Sequence, residues 1–300
     1  MSTLNIGMVG LDTSHVGNFI DILNDAGNAN HLEGAKVVKA FPGGSKTFSN
    51  SYNRVGKYTE ETRAKGVEIV GSIEDLAGLD GYFLESVDGT QHLEQFRTLA
   101  EYGKPVFIDK PLACCYEDAK AIFDLAAAKR VPIFTASGLR YAIGCGNVQP
   151  VEGEKLESVD AYGPMTLLPD YRDVFWYGIH TVEILYSHLG KGCQRVRVVR
   201  SGSFDLLVGE WEGDRLGVAH GVRKGCYQFA VRLFTDKRNV FSTQDSAFHY
   251  IRPLTGLIVD FFRTGKSPVD PAESLETIAF LEAASRSAAN GGAVVELASL

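Results

Sequence analysis

Short apolar runs recur through about the first 135 residues, each separated from the next by a segment whose apolar positions repeat at helical spacing. "LNIGMVGL" (4–11) reads as a strand, and Val16–Ala26 then carries apolar residues at 16, 19, 20, 22, 23 and 26, one stripe of a helix. "AKVVKAF" (35–41) is a second strand, closed by the breaker Pro42-Gly43-Gly44. "GVEIVGS" (66–72) follows a charged helical stretch, and "LDGYFLES" (79–86), "KPVFIDK" (104–110) and "VPIFTAS" (131–137) are further strands. His92–Tyr102, which stops at Gly103, and the alanine-rich Tyr116–Ala128 are helices between them. Strands alternating with helices predict a doubly wound parallel sheet. Right-handed crossovers then line the strand C-termini along one edge, where ligands bind.

From about residue 138 the pattern changes. Strand-like runs crowd together at 156–163, 194–203, 215–222, 226–235 and 238–243, too closely spaced for intervening helices. An open, mainly antiparallel sheet is expected there. One helix, about Tyr177–Leu189, interrupts the strands. Two more close the chain, around Leu254–Thr264 and Pro271–Asn290, the last opening on a proline. The fold class is therefore α/β in two domains: residues 1–137 with the parallel sheet, and residues 138–300 as an α+β domain.

Composition narrows the function more than the fold. With 300 residues, 45% hydrophobic and 22% charged, each domain can bury its own core. A net charge of -7 without any Lys/Arg cluster argues against nucleic acid or an acidic membrane surface as partner. No apolar run approaches the roughly 20 residues that span a bilayer. "MSTLNIGMVG" lacks the features of a signal peptide, and five cysteines (114, 115, 145, 193 and 226) read as reduced thiols, so a cytoplasmic location is expected. No group of His, Cys, Asp and Glu has metal-ligand spacing, so no metal is expected, and no G-x-S-x-G elbow occurs.

The first candidate chemistry lies at the end of the first strand. A dinucleotide-binding turn has the form G-x-G-x-x-G, whereas this chain has Gly10-Leu11-Asp12-Thr13-Ser14-His15. Asp12 stands where the second glycine lets backbone approach a pyrophosphate, and His15 where the third permits close helix–strand packing. A carboxylate facing a pyrophosphate is repulsive, but Thr13 and Ser14 offer hydroxyls and the adjoining helix offers free N–H groups. Asp12, Thr13 or Ser14 serves equally as the N-cap of that helix, and capping and ligand contact both stay open.

Two later stretches carry a resemblance. "GKPVFIDKPLA" (103–113) resembles the strand-end motif of the Gfo/Idh/MocA family of oxidoreductases, with Asp109-Lys110-Pro111 in place of the usual Glu-Lys-Pro. "WYGIHTVEILYSHLG" (176–190) resembles the family's G-x-H-x-x-D helix through Gly178, His180 and Glu183, and the segment 261–297 follows its closing pattern. The resemblance spans nearly the whole chain and agrees with the periodicity. It implies a Rossmann-like domain binding NAD or NADP and a second domain carrying a sugar, inositol or related polyol. It also implies hydride transfer at a hydroxyl-bearing carbon, with Lys110 touching nicotinamide ribose and substrate hydroxyl and His180 as general acid/base. The residue chemistry is compatible: imidazole titrates near neutrality, and a cation at a strand end stabilises a developing alkoxide. Glu183, one turn from His180, is placed to orient its ring.

Departures from the family pattern reach beyond the glycine turn. The second strand ends in Phe41-Pro42-Gly43-Gly44-Ser45 rather than in an acid, which leaves room for the 2′-phosphate of NADP beside Gly43, Gly44, Ser45 and Lys46, or marks a plain turn. Trp176 replaces the aspartate usual before the helix histidine. Ser86, Asp88 and His92 in "ESVDGTQH" form the expected adjoining wall of the cofactor site, together with Asp109. Arg140 in "SGLRYA", and Asp170, Arg172 and Tyr177 in "LPDYRDVFWYG", are candidate substrate contacts. Two other classes remain beside the dehydrogenase: a redox-neutral lyase or epimerase of the same fold, and a cofactor-free binding or regulatory protein. An open apolar sheet face in the second domain predicts a homodimer or homotetramer.

Overall fold

In the computed structural model, which describes residues 2–225, 227–245 and 250–300, the chain forms two compact units. The first comprises residues 1–113, 117–136 and 251–271, and the second 114–116, 137–250 and 272–300. The chain thus crosses between units several times rather than once at 137/138.

The first unit is built on six parallel strands: β1 (Leu4–Val9), β2 (Ala35–Phe41), β3 (Glu68–Ile69), β4 (Gly81–Leu84), β5 (Val106–Ile108) and β6 (Ile133–Phe134). Their order is β3-β2-β1-β4-β5-β6, the doubly wound arrangement in which the chain reverses direction across the sheet between β1 and β4. Each apolar run predicted in this region contains a strand. The short, wholly buried β4 and β5 reflect the need of a parallel sheet to cover both faces. The unit's helices are α1 (Ser14–Asn24), α2 (Ser49–Tyr52), α3 (Val55–Ala64), α4 (His92–Ala100), α5 (Tyr116–Lys129) and, from late in the sequence, α7 (Ile251–Thr264).

An aromatic cluster explains why α7 returns to this unit. Phe19 of α1 stacks on Phe83 at 4.8 Å, and Phe83 meets Phe262 of α7 edge-on at 5.3 Å. Phe107 bridges to Phe134, which meets Phe261 of α7 at 5.7 Å. Each ring buries far more apolar area than a single aliphatic contact, so the cluster outweighs proximity in sequence.

The second unit holds a seven-stranded mixed sheet of β7 (Leu156–Pro164), β8 (Cys193–Arg200), β9 (Phe204–Trp211), β10 (Arg215–Val222), β11 (Ala230–Thr235), β12 (Asn239–Thr243) and β13 (Val295–Glu296). The order is β12-β11-β7-β10-β9-β8-β13; β7 and β10 pair in parallel and the remaining neighbours are antiparallel. Strand β9 is an addition to the sequence reading. Its apolar residues fall on both faces, and Asp205, Gly209 and Glu210 break the alternation that marks a strand. Cys226, placed in a strand by sequence, lies outside the described residues, and Cys145 and Cys193 are buried free thiols.

Helices α6 (Gly178–Leu189) and α8 (Pro271–Ala289) belong to this unit. A Cβ at Gly209 would stand 2.5 Å from the Phe280 ring of α8, and one at Gly217 would stand 2.8 Å from Leu189 of α6. Glycine at both positions lets the helices approach the sheet. Val199, Phe204, Leu216 and Phe241 remain exposed on its strands. Among the described residues no helix is long and apolar enough to cross a membrane.

Near the end of α6, His188 presents Nε2 to the Cys145 carbonyl at 3.0 Å, while its Nδ1 is buried without a partner among the described residues. Burial and the nearby Arg140 charge disfavour imidazolium, the Cys145 carbonyl offsets them only in part, and the pKa falls to about 4. The unfolded chain therefore takes up this proton first as pH falls. The stability contributed by neutral His188 is complete above about pH 6.5 and drains away toward pH 4, by up to roughly 3 kcal/mol. Urea unfolding from pH 7 to 4 is expected to show this loss in the wild type, and a shallower slope in His188→Gln.

Candidate functional site

At the C-terminal edge of the first sheet, Gly10 takes φ +89, and a Cβ there would overlap the backbone of Ser86 beyond β4. The first glycine of the turn is thus required sterically. Gly10 N–H donates to the Phe41 carbonyl and Leu11 N–H to the Pro42 carbonyl, at 3.0 and 2.8 Å, tying the turn to the end of β2. Leu11 is fully buried and Ser14 exposed. Thr13 is the N-cap of α1, its hydroxyl accepting from His15 N–H at 3.4 Å.

Asp12 is neither cap nor exposed anion. It is fully buried; Oδ1 accepts from Val87 N–H at 2.8 Å and Oδ2 from the Ser51 hydroxyl of α2. Burial raises its pKa, partly opposed by the Ser51 and Val87 hydrogen bonds. The carboxylate in the second glycine's place is therefore bound inside the protein, joining three loops. This removes the direct repulsion that its place in the turn suggested, and leaves the N-terminus of α1 beside the turn.

His15 also turns inward. Its Nδ1 lies 2.9 Å from Oδ2 of Asp109, the residue following β5, and both side chains are buried. Glu85, directly after β4, is fully buried beside them, and ligand-type atoms of His15, Glu85 and Asp109 all lie within 4.8 Å of one another. Lys110 is also buried, at a cis bond to Pro111. Burial, then the Asp109 charge, drives the Glu85 pKa well up, and Lys110 offsets this only in part. Burial also opposes ionisation of Asp109, but His15 and Lys110 outweigh it and hold that carboxyl below the usual range. The two neighbouring carboxyls are thus pushed in opposite directions. The sequence held no metal-type spacing; the structure forms this group from the start of α1 and the ends of β4 and β5, far apart in the chain.

The adjoining wall is largely self-bonded. The Ser45 hydroxyl receives N–H groups from Thr47 and Phe48, and its own N–H donates to Ser51. The residues after β2 thus form a closed turn, and only Lys46 is left exposed where a 2′-phosphate cradle was considered. Gly43 and Gly44 both take positive φ, and Pro42 contributes its carbonyl to Leu11. Asp88 accepts from the N–H and hydroxyl of Thr90 and caps a short turn. His92 sets Nδ1 against the Leu112 carbonyl and Nε2 against the Ser86 carbonyl, at 3.0 and 2.7 Å. It is fully buried and clamps the loops after β4 and β5, while the Ser86 hydroxyl is buried without a partner among the described residues.

In the second unit, His180 near the start of α6 is buried, with Nδ1 2.7 Å from the Ser137 hydroxyl. Ser137 also accepts from Leu139 N–H. If the ring donates from Nδ1, Nε2 is left as the basic atom; if the hydroxyl donates, Nε2 carries the proton. The ring is packed by Tyr177 and Phe229.

Glu183 was expected to orient His180, and Arg140 to meet substrate. Instead Arg140 Nε binds Glu183 and its Nη2 binds Glu273 of α8, each at 2.6 Å. Burial disfavours the guanidinium charge, but the two carboxylates more than restore it and raise its pKa. Arg140 is committed to this triad because two buried carboxylates flank it. Arg172 is likewise engaged, with the Cys114 carbonyl at 2.6 Å, Glu282 at 3.4 Å and the face of Phe175. Asp170 is exposed and Tyr177 is 37% exposed. Glu85, Ser51, Ser137 and Glu273 were not singled out by sequence. Only Glu85 carried a signal there, as an acid ending a wholly apolar strand.

The strand order and the glycine turn at its switch point define the first unit as a Rossmann domain of the dinucleotide-binding class. Residues 4–137 match the model of an oxidoreductase family, GFO_IDH_MocA, described as having an NAD-binding Rossmann fold. Similar solved structures include myo-inositol dehydrogenase from Lactobacillus casei in complex with NAD(H) and myo-inositol (15% identity, 98% of this chain and 96% of that one, TM-score 0.74). Another is the WlbA dehydrogenase from Bordetella pertussis in complex with NADH and UDP-GlcNAcA (17%, 98% of each chain, 0.73). A third is apo scyllo-inositol dehydrogenase from Lactobacillus casei (14%, 99% of each, 0.73). At such identities the likeness extends to the fold. Comparison with curated proteins finds no match.

Replacing Arg140 by Met leaves Glu183 and Glu273 buried without their cation. A loss of about 3–5 kcal/mol in urea unfolding is expected, with partial recovery in Arg140→Lys, which keeps the charge but not the two-pronged fork.

Proposed function

We propose that the protein is an NAD(P)-dependent dehydrogenase acting on a CH–OH group of a sugar, inositol or related polyol. The observation that carries this reading is Lys110, buried directly beyond β5 in the Asp109-Lys110-Pro111 motif, at the sheet edge where a Rossmann domain of this family binds its cofactor. The substrate class draws support from the hydroxylated ligands named for two of the structural neighbours.

The Gly10 turn and the N-terminus of α1 (Gly10, Leu11, Thr13 and Ser14) fit a pyrophosphate, with Asp12 and His15 supporting the turn from inside. Pro42, Gly43, Gly44 and Ser45 flank the ribose side, and Ser86, Asp88, His92 and Asp109 shape the adjoining wall. The closed turn at Ser45 gives a 2′-phosphate few donors, which favours NAD over NADP. When bound, the nicotinamide accepts or supplies the hydride. The Lys110 ammonium lowers the energy of the developing alkoxide by donating to its oxygen. His180 removes or returns the hydroxyl proton at Nε2, with the Ser137 hydroxyl fixing the ring. Tyr177 and Asp170 are the remaining candidates for substrate contact; Arg140, Glu183 and Arg172 act as positioning residues. The exposed apolar residues of the second sheet support a homodimer or homotetramer formed through it, and the acidic net charge fits a cytoplasmic enzyme without nucleic-acid or membrane partners.

Calorimetry with the stripped protein is expected to show saturable NAD(H) binding, tighter than NADP(H). Polyol-dependent NADH formation is expected to fall about 100-fold or more in Lys110→Ala and in His180→Ala. Absence of binding by either cofactor at millimolar concentration would overturn the assignment. Light scattering that gives a monomer at micromolar protein would overturn the oligomer.

A further inference from the structure

His15, Glu85 and Asp109 come from the first turn of α1, which follows β1, and the ends of β4 and β5, three neighbouring strands of one sheet. All three are buried. Both oxygens of Glu85 are buried with no hydrogen-bond partner among the described residues, and so is Oδ1 of Asp109. A carboxyl group wholly removed from water costs several kcal/mol unless something satisfies it, and here three oxygens lack a donor in one place. Asp109 spends its other oxygen on His15. Hydrogen bonding within the protein therefore leaves Glu85 unaccounted for.

Charge points the same way. Glu85 faces the negative charges of Asp109 and Asp12 across this edge, and Lys110 opposes Glu85 and Asp109 with its positive one. A doubly charged cation held between them would balance the two carboxylates of Glu85 and Asp109. We propose that His15, Glu85 and Asp109 form a binding site for one divalent first-row transition metal ion, of the Mn, Fe, Co or Zn type. One imidazole with two carboxylates is a mixed nitrogen and oxygen donor set that suits such ions better than calcium or magnesium, which favour oxygen alone. Donor atoms about 2.1 Å from a metal lie roughly 3.0–3.5 Å apart, so atoms already within 4.8 Å need only small side-chain rotations. Three protein ligands leave at least one position for water or a substrate oxygen, as in metal sites that act on bound ligands. The site draws on the first unit alone and does not depend on dinucleotide binding.

The test uses the full chain, stripped with chelator and free of dinucleotide, titrated with Co2+ and followed by its visible absorption, with Zn2+ and Mn2+ titrated by calorimetry. One equivalent is expected to bind with Kd in the micromolar range or tighter, and cobalt absorption to show a nitrogen and oxygen environment. Glu85→Gln and His15→Asn, each checked for native circular dichroism, are expected to weaken binding at least tenfold, and His15→Asn to shift the absorption. Two results would overturn the site: no saturable binding of any of the three ions at millimolar concentration in the wild type, or undiminished binding in folded Glu85→Gln. Since no dinucleotide is present, failure here leaves the dehydrogenase reading standing, and failure of cofactor binding leaves the metal site standing.

Discussion

Burial of ionisable groups where a parallel sheet ends is the constraint on which the first unit depends. Asp12, Glu85, Asp109 and Lys110 lie where β1, β4 and β5 stop, and each is removed from most of its water. A buried charge must be paired, hydrogen-bonded or neutralised. Asp12 takes a backbone amide and a hydroxyl, Asp109 takes His15, and burial pushes the Glu85 carboxyl toward its neutral form. The loops around the edge acquire their shape from these requirements: Ser51 ties α2 to the turn, Val87 ties the loop after β4, and His92 ties that loop to the segment after β5.

This arrangement gives the altered glycine turn a physical meaning. In the standard fingerprint, glycines at the second and third positions keep side chains out of the way. Here Asp12 and His15 achieve a similar clearance by pointing into the protein, where each has a partner. Only Gly10 remains irreplaceable, because Ser86 occupies the space its side chain would need. The second unit follows the same rule with a cation at the centre, since Arg140 holds two carboxylates from separate helices.

The chain's own patterning determined a good deal. Period and spacing are local properties, so the alternation of strands and helices, the crowded strands that follow, and the motifs around Lys110 and His180 were all readable from the sequence. Strand β9 escaped because its apolar residues face both ways. Tertiary structure alone decided the rest. It placed α7 with the first sheet through Phe261 and Phe262, which meet Phe134 and Phe83 far upstream in the chain. It made Thr13 the cap, paired His15 with Asp109 across 94 positions, and paired Arg140 with Glu183 and Glu273. The physical reason is common to all of these. A side chain's apolar or polar character fixes whether it is buried, which the sequence records; its partner depends on which strands end side by side, and only the folded chain brings those ends together.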